Sequence, residues 1–232
     1  MKKILSTIIC VLFIFCSSDS ELSKMSVQGK IDGLKKGKLF LKTQIDSTVV
    51  SVDSIIINGK SDFKLETFIK EPDIFYLVLD KEDGDSLNDI ITFFGNKGEI
   101  ILNSSLKTFD SSFEIIGSKN TDLLIEYFSI IRKYNNQNLD LLEIYYNSQL
   151  ENNQKRVDSV NTLLDNLITR KYLYTLNFAI TNSSNEISPY IAVSQIPDAN
   201  KELLLKIYDT LPDKIKSSKY GKILNNLSDT DN

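Results

Sequence analysis

The chain has 232 residues, 31 of them acidic and 27 basic, a net charge of −4, two cysteines and no histidine. Without histidine there is no Ser-His-Asp or Cys-His triad, no imidazole acid–base group and no histidine-containing metal set. The acidic balance argues against nucleic acid as a partner, and the length suffices for one or two domains with a substantial core.

Met1-Lys2-Lys3 and the mostly apolar run over residues 4–15 have the parts of a secretory leader. Twelve residues of helix reach about 18 Å, short of the ~30 Å hydrocarbon core of a bilayer. Cys16 follows at once, then the polar run Ser17-Ser18-Asp19-Ser20-Glu21. This arrangement resembles a bacterial lipoprotein export signal, which implies that residues 1–15 are removed and that Cys16 carries the lipid. Phe15 stands where such signals usually place a small residue; an ordinary signal cut near residues 17–20, or an uncleaved anchor, are the alternatives. Losing the leader removes Lys2, Lys3 and Cys10, which moves the charge from −4 to −6 and leaves one cysteine. No disulfide framework or thiol pair is then possible. One acyl chain binds a membrane only marginally, so a stable anchor needs more than one. Residues 16–26 read as the lipidated tether.

Residues 27–117 are strand-like. Val27-Gln28-Gly29-Lys30-Ile31 alternates, and residues 38–42 and 47–51 are short β-rich runs. Residues 54–58 and 62–66 flank Asn58-Gly59, a strong hairpin signal. Residues 74–80 are apolar and end in the acidic turn 81–85. Residues 89–94 and 99–103 flank Gly95-Asn96-Lys97-Gly98, and 112–116 completes eight or nine strands. Such spacing predicts an antiparallel β-sandwich or open barrel, with pattern alone not separating the two.

From 118 to 227 the period becomes helical. Leu123, Leu124, Tyr127, Phe128 and Ile131 share a face behind the cap candidates Ser118 and Asn120, and Leu139, Leu142, Tyr145 and Tyr146 continue it loosely. Val157, Val160, Leu163, Leu164, Leu167 and Ile168 mark a second amphipathic helix running towards Ile180, broken at residues 182–185. Ser188 as cap and Pro189 in the first turn predict a short helix to Gln195. Asp198 is the predicted cap of a helix through Leu203, Leu204, Ile207, Tyr208 and Leu211, stopped by Pro212. A last helix is predicted over 213–226, and 228–232 is a tail. The fold class is therefore α+β, a β-domain followed by a helical bundle.

Val27-Gln28-Gly29-Lys30-Ile31-Asp32-Gly33-Leu34, then Gly37-Lys38-Leu39-Phe40-Leu41, then Asp53-Ser54-Ile55-Ile56-Ile57-Asn58-Gly59-Lys60 and Phe63, carry a likeness to a known family. Together they resemble the N-terminal β-domain called domain of unknown function 4369 (DUF4369), found in lipoproteins of Bacteroidota, commonly ahead of a thioredoxin-fold thiol–disulfide oxidoreductase domain. Ile116-Gly117-Ser118-Lys119-Asn120 and the stretch around Ser188-Pro189-Tyr190-Ile191-Ala192 extend the likeness over about residues 26–226. The chain has no Cys-x-x-Cys, so the redox activity of the longer relatives is not implied for it.

Four constellations bear on chemistry. Asp80, Glu82, Asp83, Asp85 and Asp89 offer oxygen ligands for calcium, but with Gly84 in the sixth place an EF-hand loop would begin on Leu79 and Lys81, so a solvated acidic turn is expected. Ser61-x-x-Lys64 and Ser104-x-x-Lys107 match a Ser-x-x-Lys spacing, yet that motif needs a helix and these lie in or beside strands. Tyr127, Tyr134, Tyr145, Tyr146, Tyr172 and Tyr174 are expected in core and rim packing, with a glycan or peptide surface as the alternative. Gly29, Gly33 and Gly37 read as turns rather than a phosphate loop.

The expectation is a non-catalytic cell-envelope lipoprotein that binds a partner protein or small ligand. Its only assigned site is the lipid attachment at Cys16, with no catalytic residues, cofactor or metal, and it is anchored to the outer membrane facing the periplasm or the cell surface. Two alternatives are an accessory to a separately encoded thiol–disulfide oxidoreductase and a carboxylate-dependent enzyme acting on carbohydrate.

Overall fold

The structure is a computed structural model, and it describes residues 22–81 and 89–229. Within them lie eight strands: β1 (Ser23–Asp32), β2 (Lys36–Ile45), β3 (Thr48–Asn58), β4 (Asp62–Ile69), β5 (Asp73–Asp80), β6 (Asp89–Gly95), β7 (Gly98–Ser105) and β8 (Phe113–Ile116). They form two four-stranded sheets of order β4-β1-β7-β8 and β3-β2-β5-β6. The sandwich rather than the barrel is therefore the outcome. The strands follow from period-two patterning: along β2, Gly37, Leu39, Leu41 and Thr43 are buried, while Lys38, Phe40 and Lys42 between them are less so. Met25, Val27, Leu65, Ile100 and Leu102 of one sheet meet Leu39, Leu41, Leu77 and Phe93 of the other in a shared core.

β1 begins at Ser23, so residues 23–26 of the expected tether are strand, paired with the end of β4 (Ser23 opposite Ile69). The Asn58-Gly59 turn, with Gly59 at φ +94°, does not close a hairpin; it carries the chain from one sheet to the other, because β3 pairs with β2 and β4 with β1. The β2–β3 hairpin turns instead at Asp46, which adopts φ +52°. Gly95 to Gly98 is likewise a sheet crossing, from β6 to β7. The sheets are also not wholly antiparallel: β1 and β7 run parallel, Met25 opposite Gly98 through Asp32 opposite Ser105.

That parallel pair explains Gly29, which is a mid-strand residue and not a turn. A Cβ on Gly29 would lie 1.8 Å from the carbonyl oxygen of Leu102, so only glycine permits this approach. Gly33, at φ +83°, does lie in the turn between β1 and β2, whereas Gly37, at φ +151°, is a buried residue of β2 opposite Ile57 and is the second of the three glycines that is not a turn.

The two long edges of the sandwich differ. On the β3/β4 side a register shift in β3 places Asp53 so that its carboxylate accepts from the backbone N–H of Ser54 and, across the sheets, from that of Glu66, both at 2.7 Å. This stitches β3 to β4. On the other side β6 and β8 are the outer strands and have no ladder between them.

The helices are α1 (Lys119–Leu150), α2 (Gln154–Thr181), α3 (Ile187–Gln195), α4 (Lys201–Thr210), α5 (Asp213–Lys216) and α6 (Lys219–Ser228). α1 is about 48 Å long and pairs with α2 in a hairpin whose turn holds Asn152 at φ +54° and whose Asn153 caps α2 through Arg156 N–H. Ser118 caps α1 as expected. Ser188 is not a cap: α3 starts one residue earlier, and the Ser188 hydroxyl donates to the Ala179 carbonyl of α2 at 2.7 Å. Asn200, not Asp198, caps α4 through Glu202 N–H. The expected helix over 213–226 is broken at Ser217 and Ser218, where Ser218 caps α6 and Gly221 packs onto the end of α5.

We expect Gly29→Ala to lower the stability of the full chain by at least ~1–3 kcal/mol, the usual cost of overpacking, because the obstruction is backbone. Urea unfolding followed by circular dichroism reads this directly. A loss no greater than that of Ala at an exposed strand position would contradict the close approach of β1 and β7.

Candidate functional site

The outer face of the β3-β2-β5-β6 sheet is apolar at its β5/β6 end, where Ile74 and Phe94 are buried against α1, α3 and α6. Leu124, Tyr127 and Ile131 of α1, Ile187 and Ile191 of α3, and Tyr220 of α6 complete this second core. A third core joins α2, α3, α4 and α6 through Leu176, Ala179, Ala192, Leu204, Ile207 and Leu224. The helices are thus a third layer laid on one sheet.

Two polar contacts hold that layer in register. The buried hydroxyl of Thr121 accepts from Phe94 N–H at 3.0 Å and donates to Phe94 C=O at 3.2 Å, so the first turn of α1 is fastened to the outer edge of β6. At the start of β5, one oxygen of Asp73 pairs with Lys219 Nζ at 2.6 Å, and the other accepts from the Tyr220 hydroxyl. Glu71 also accepts from Lys219 N–H at 3.0 Å, at the start of α6. The Tyr220 ring meets Tyr190 edge-on at 5.0 Å, and Tyr190 meets Phe94 at 5.3 Å.

Beside this seam a cleft of about 660 Å³ opens where the sandwich is unstitched. Its floor is the outer strand β6 (Ile90, Thr92) with Tyr76 of β5. One wall is the connection between β7 and β8, Asp110 to Phe113, and the other is α1 with Ile125, Phe128 and Arg132; Tyr190 closes one end. The size is in the range of small-molecule and peptide sites, and the lining mixes aromatic faces with hydroxyls. Its charged groups are Asp110 and Arg132 on opposite walls. Among the described residues Arg132 has no ion-pair partner.

The residues singled out from sequence fall elsewhere. Cys16 and the leader lie outside the described residues, as do Glu82, Asp83, Gly84 and Asp85 of the acidic turn. Its flanking member Asp89 pairs with Lys81 at 2.8 Å. Among the described residues no three His, Cys, Asp or Glu side chains converge as metal ligands. Lys64 pairs with Glu66 at 2.7 Å, and the Ser104 hydroxyl donates to Phe109 C=O at 2.8 Å with Ser112 C=O as a second acceptor at 3.2 Å, so neither Ser-x-x-Lys forms a nucleophile pair. Tyr127 is fully buried, its hydroxyl 2.8 Å from that of Thr175, and it stacks on Tyr174; Tyr134 lies against the same ring. Tyr172 packs against the third core, while Tyr145 and Tyr146 meet edge-on far out on α1. Thr121, Asp73, Lys219, Arg132 and Phe113 carried no signal as site residues. Tyr190 was visible only as part of the Ser188-Pro189-Tyr190 segment.

Residues 25–124 match the family described as a domain of unknown function (DUF4369). The chain carries a DUF4369-type domain. The match runs from β1 through the first turns of α1 and so takes in Thr121, which docks the helix on β6. No curated protein matches the chain, and no solved structure does. Within the described residues no helix is long and apolar enough to cross a membrane.

Burial pushes the phenols of Tyr127 and Tyr190 up to about 12. The Tyr220 phenol is raised further, by burial first and then by the charge of Asp73. A phenol held neutral by the fold stabilises it fully below its unfolded value near 10, and that stability is lost as pH rises through the folded value. We expect tyrosinate absorbance to remain incomplete at about pH 11 while the protein is folded, and to complete only as helical circular dichroism collapses near pH 12. Full titration of all ten tyrosines with the fold intact would contradict the burial of these three.

Thr121→Val leaves two buried backbone groups of Phe94 unpaired. We expect a loss on the order of 2 kcal/mol, against a few tenths for Thr162→Val, whose hydroxyl only donates to Asp158 C=O on the exposed face of α2. Chemical denaturation of both variants checks this.

Proposed function

We propose that the DUF4369 chain is a non-catalytic ligand-binding lipoprotein of the cell envelope, attached through Cys16 and binding in the cleft between β6, the β7–β8 connection and α1. The observation that carries the reading is the cleft itself. Phe113, Phe128, Tyr76 and Tyr190 supply apolar faces, while Ser111, Ser112, Ser129 and Thr92 supply hydroxyls. Glycoside hydrolysis needs two carboxyl groups flanking one bond, and among the described lining residues Asp110 is the single carboxylate. The arrangement suits recognition of a partly apolar, partly polar ligand better than it suits bond cleavage.

Attachment is supported by the basic and apolar leader ending at Cys16. β1 begins at Ser23, so six residues, or seven residue-to-residue steps, separate the acylated cysteine from the first strand. Fully extended, they span at most about 25 Å, which holds the sandwich close to the membrane surface.

Two measurements test the two halves of the proposal. Full-length protein expressed in a bacterium fed an alkynyl fatty acid is expected to take up label and fractionate with membranes, and Cys16→Ser to lose both; label unaffected by the substitution would refute attachment at Cys16. For the cleft, the anionic aromatic dye 1-anilinonaphthalene-8-sulfonate is expected to bind the folded protein. Arg132→Gln and Phe128→Ala should each weaken it about tenfold, equivalent to about 1.4 kcal/mol. Binding indifferent to both substitutions would place the ligand site elsewhere.

A further inference from the structure

We propose that the occupant of the cleft is an extended peptide that adds as a fifth strand to the free edge of β6, an inference that rests on the binding reading above and gives its ligand a chemical class. Thr121 shows which side of β6 is free. In an antiparallel ladder the N–H and C=O of one residue point to the same side, and successive residues alternate sides. Both backbone groups of Phe94 are taken by the Thr121 hydroxyl, on the side away from β5. Thr92 and Ile90, two and four residues earlier on the same strand, therefore direct their N–H and C=O groups to that side as well. β6 is the last strand of its sheet, and among the described residues nothing accepts from or donates to these backbone groups. Thr92 and Ile90 are also the two β6 residues that floor the cleft. The cleft thus holds a short run of four unmet main-chain groups, two donors and two acceptors, spaced as a strand presents them.

An unpaired edge of this kind is what a β-strand ligand recognises: main-chain hydrogen bonds supply affinity, and pockets for alternate side chains supply selectivity. Both are present. Side chains of Ile90, Thr92 and Phe94 share the sheet face covered by the helices, since Phe94 lies in the helical core. Alternate residues of an added strand would meet Phe128 and Ile125 of α1 on that face, and Phe113 at the mouth of the sandwich on the other. Arg132 on one wall favours an acidic residue, and Asp110 on the opposite wall a basic one or a free amino terminus.

A second copy of the chain is a poorer fit. Joining two sheets edge to edge needs β6 open along both faces, whereas here α1 overhangs one side and the β7–β8 connection stands on the other.

The test uses the full-length protein and a phage-displayed library of random decapeptides. Peptides with alternating apolar residues are expected to be enriched. The decisive variant is Thr92→Pro: it removes only an outward N–H, which the β5–β6 ladder does not use, and proline is tolerated on edge strands at such positions. We expect Thr92→Pro to weaken an enriched synthetic peptide at least tenfold, and Thr92→Val, which loses the hydroxyl but keeps the main-chain N–H, to weaken it measurably less than proline does. Because proline disturbs backbone as well, the same peptide N-methylated at the residues facing β6 should lose at least tenfold, while methylation at the intervening residues should not. Peptides that bind equally to Thr92→Pro, or that tolerate methylation in either register, overturn strand addition. If the dye binds the cleft but no peptide is enriched, the peptide proposal fails and the binding reading stands; if neither binds, both fail.

Discussion

One hydroxyl decides where the helical layer sits. Thr121 satisfies both main-chain groups of Phe94, and by doing so it converts the outer strand of a sheet into a docking line for a 32-residue helix. A buried strand edge left unpaired would cost a few kcal/mol per residue pair, so the helix cannot slide along β6 without losing this contact. Asp73 gives the layer its second fixed point, from the opposite end of the chain, through Lys219 and Tyr220. Between these two points lie Ile74, Phe94, Tyr190 and Tyr220, packed ring against ring, which resists rotation of α3 and α6 over the sheet.

The cleft is a consequence of where that fastening stops. Thr121 closes β6 at Phe94 but not at Thr92 or Ile90, and Phe128 and Arg132, further along α1, line the cleft with those two residues. The sandwich itself is closed only on its far side, where the irregular register of β3 lets Asp53 reach Glu66. Asymmetric closure of this kind gives one sealed edge and one accessible edge, with the accessible one shadowed by a helix. Beyond Ile131 α1 packs along α2, and Leu139, Tyr146 and Leu150 are exposed there.

Much of this was legible in the residues. Period-two alternation located most strands to within a few positions, although the runs 47–51 and 54–58 proved to be a single strand, β3, bent by its register shift; Ser118, with the stripe from Leu124 to Ile131, located α1. What sequence did not disclose was pairing between distant segments. Asn58-Gly59 makes a tight turn either way, and the alternation of β3 and β4 is the same whether they share a sheet or face each other; the partner is chosen by β1 and β2, more than ten residues upstream. Gly29 looked like a turn because nothing local announces that a parallel strand from residue 102 will lie against it. The break at Ser217-Ser218 was hidden because Ile215, Tyr220 and Leu224 continue an apolar stripe across it. Asp73 and Lys219 are 146 residues apart, and charged residues with no local motif offer no hint that they will meet. The cleft is assembled from five such separate segments, so its existence could not be read from any one of them.

The account treats sandwich and helices as one cooperative body with the cleft built into their seam. Hydrogen exchange measured by mass spectrometry across a urea series tests this in the full-length protein. Peptides from β2, whose strand lies in the sandwich, and from α4, which belongs to the helical layer, should lose protection at the same urea concentration, and Asp73→Ala should shift both to lower urea together. Loss of protection in α4 while β2 stays protected would show two independent parts, and a seam between them could not hold a ligand site of fixed shape.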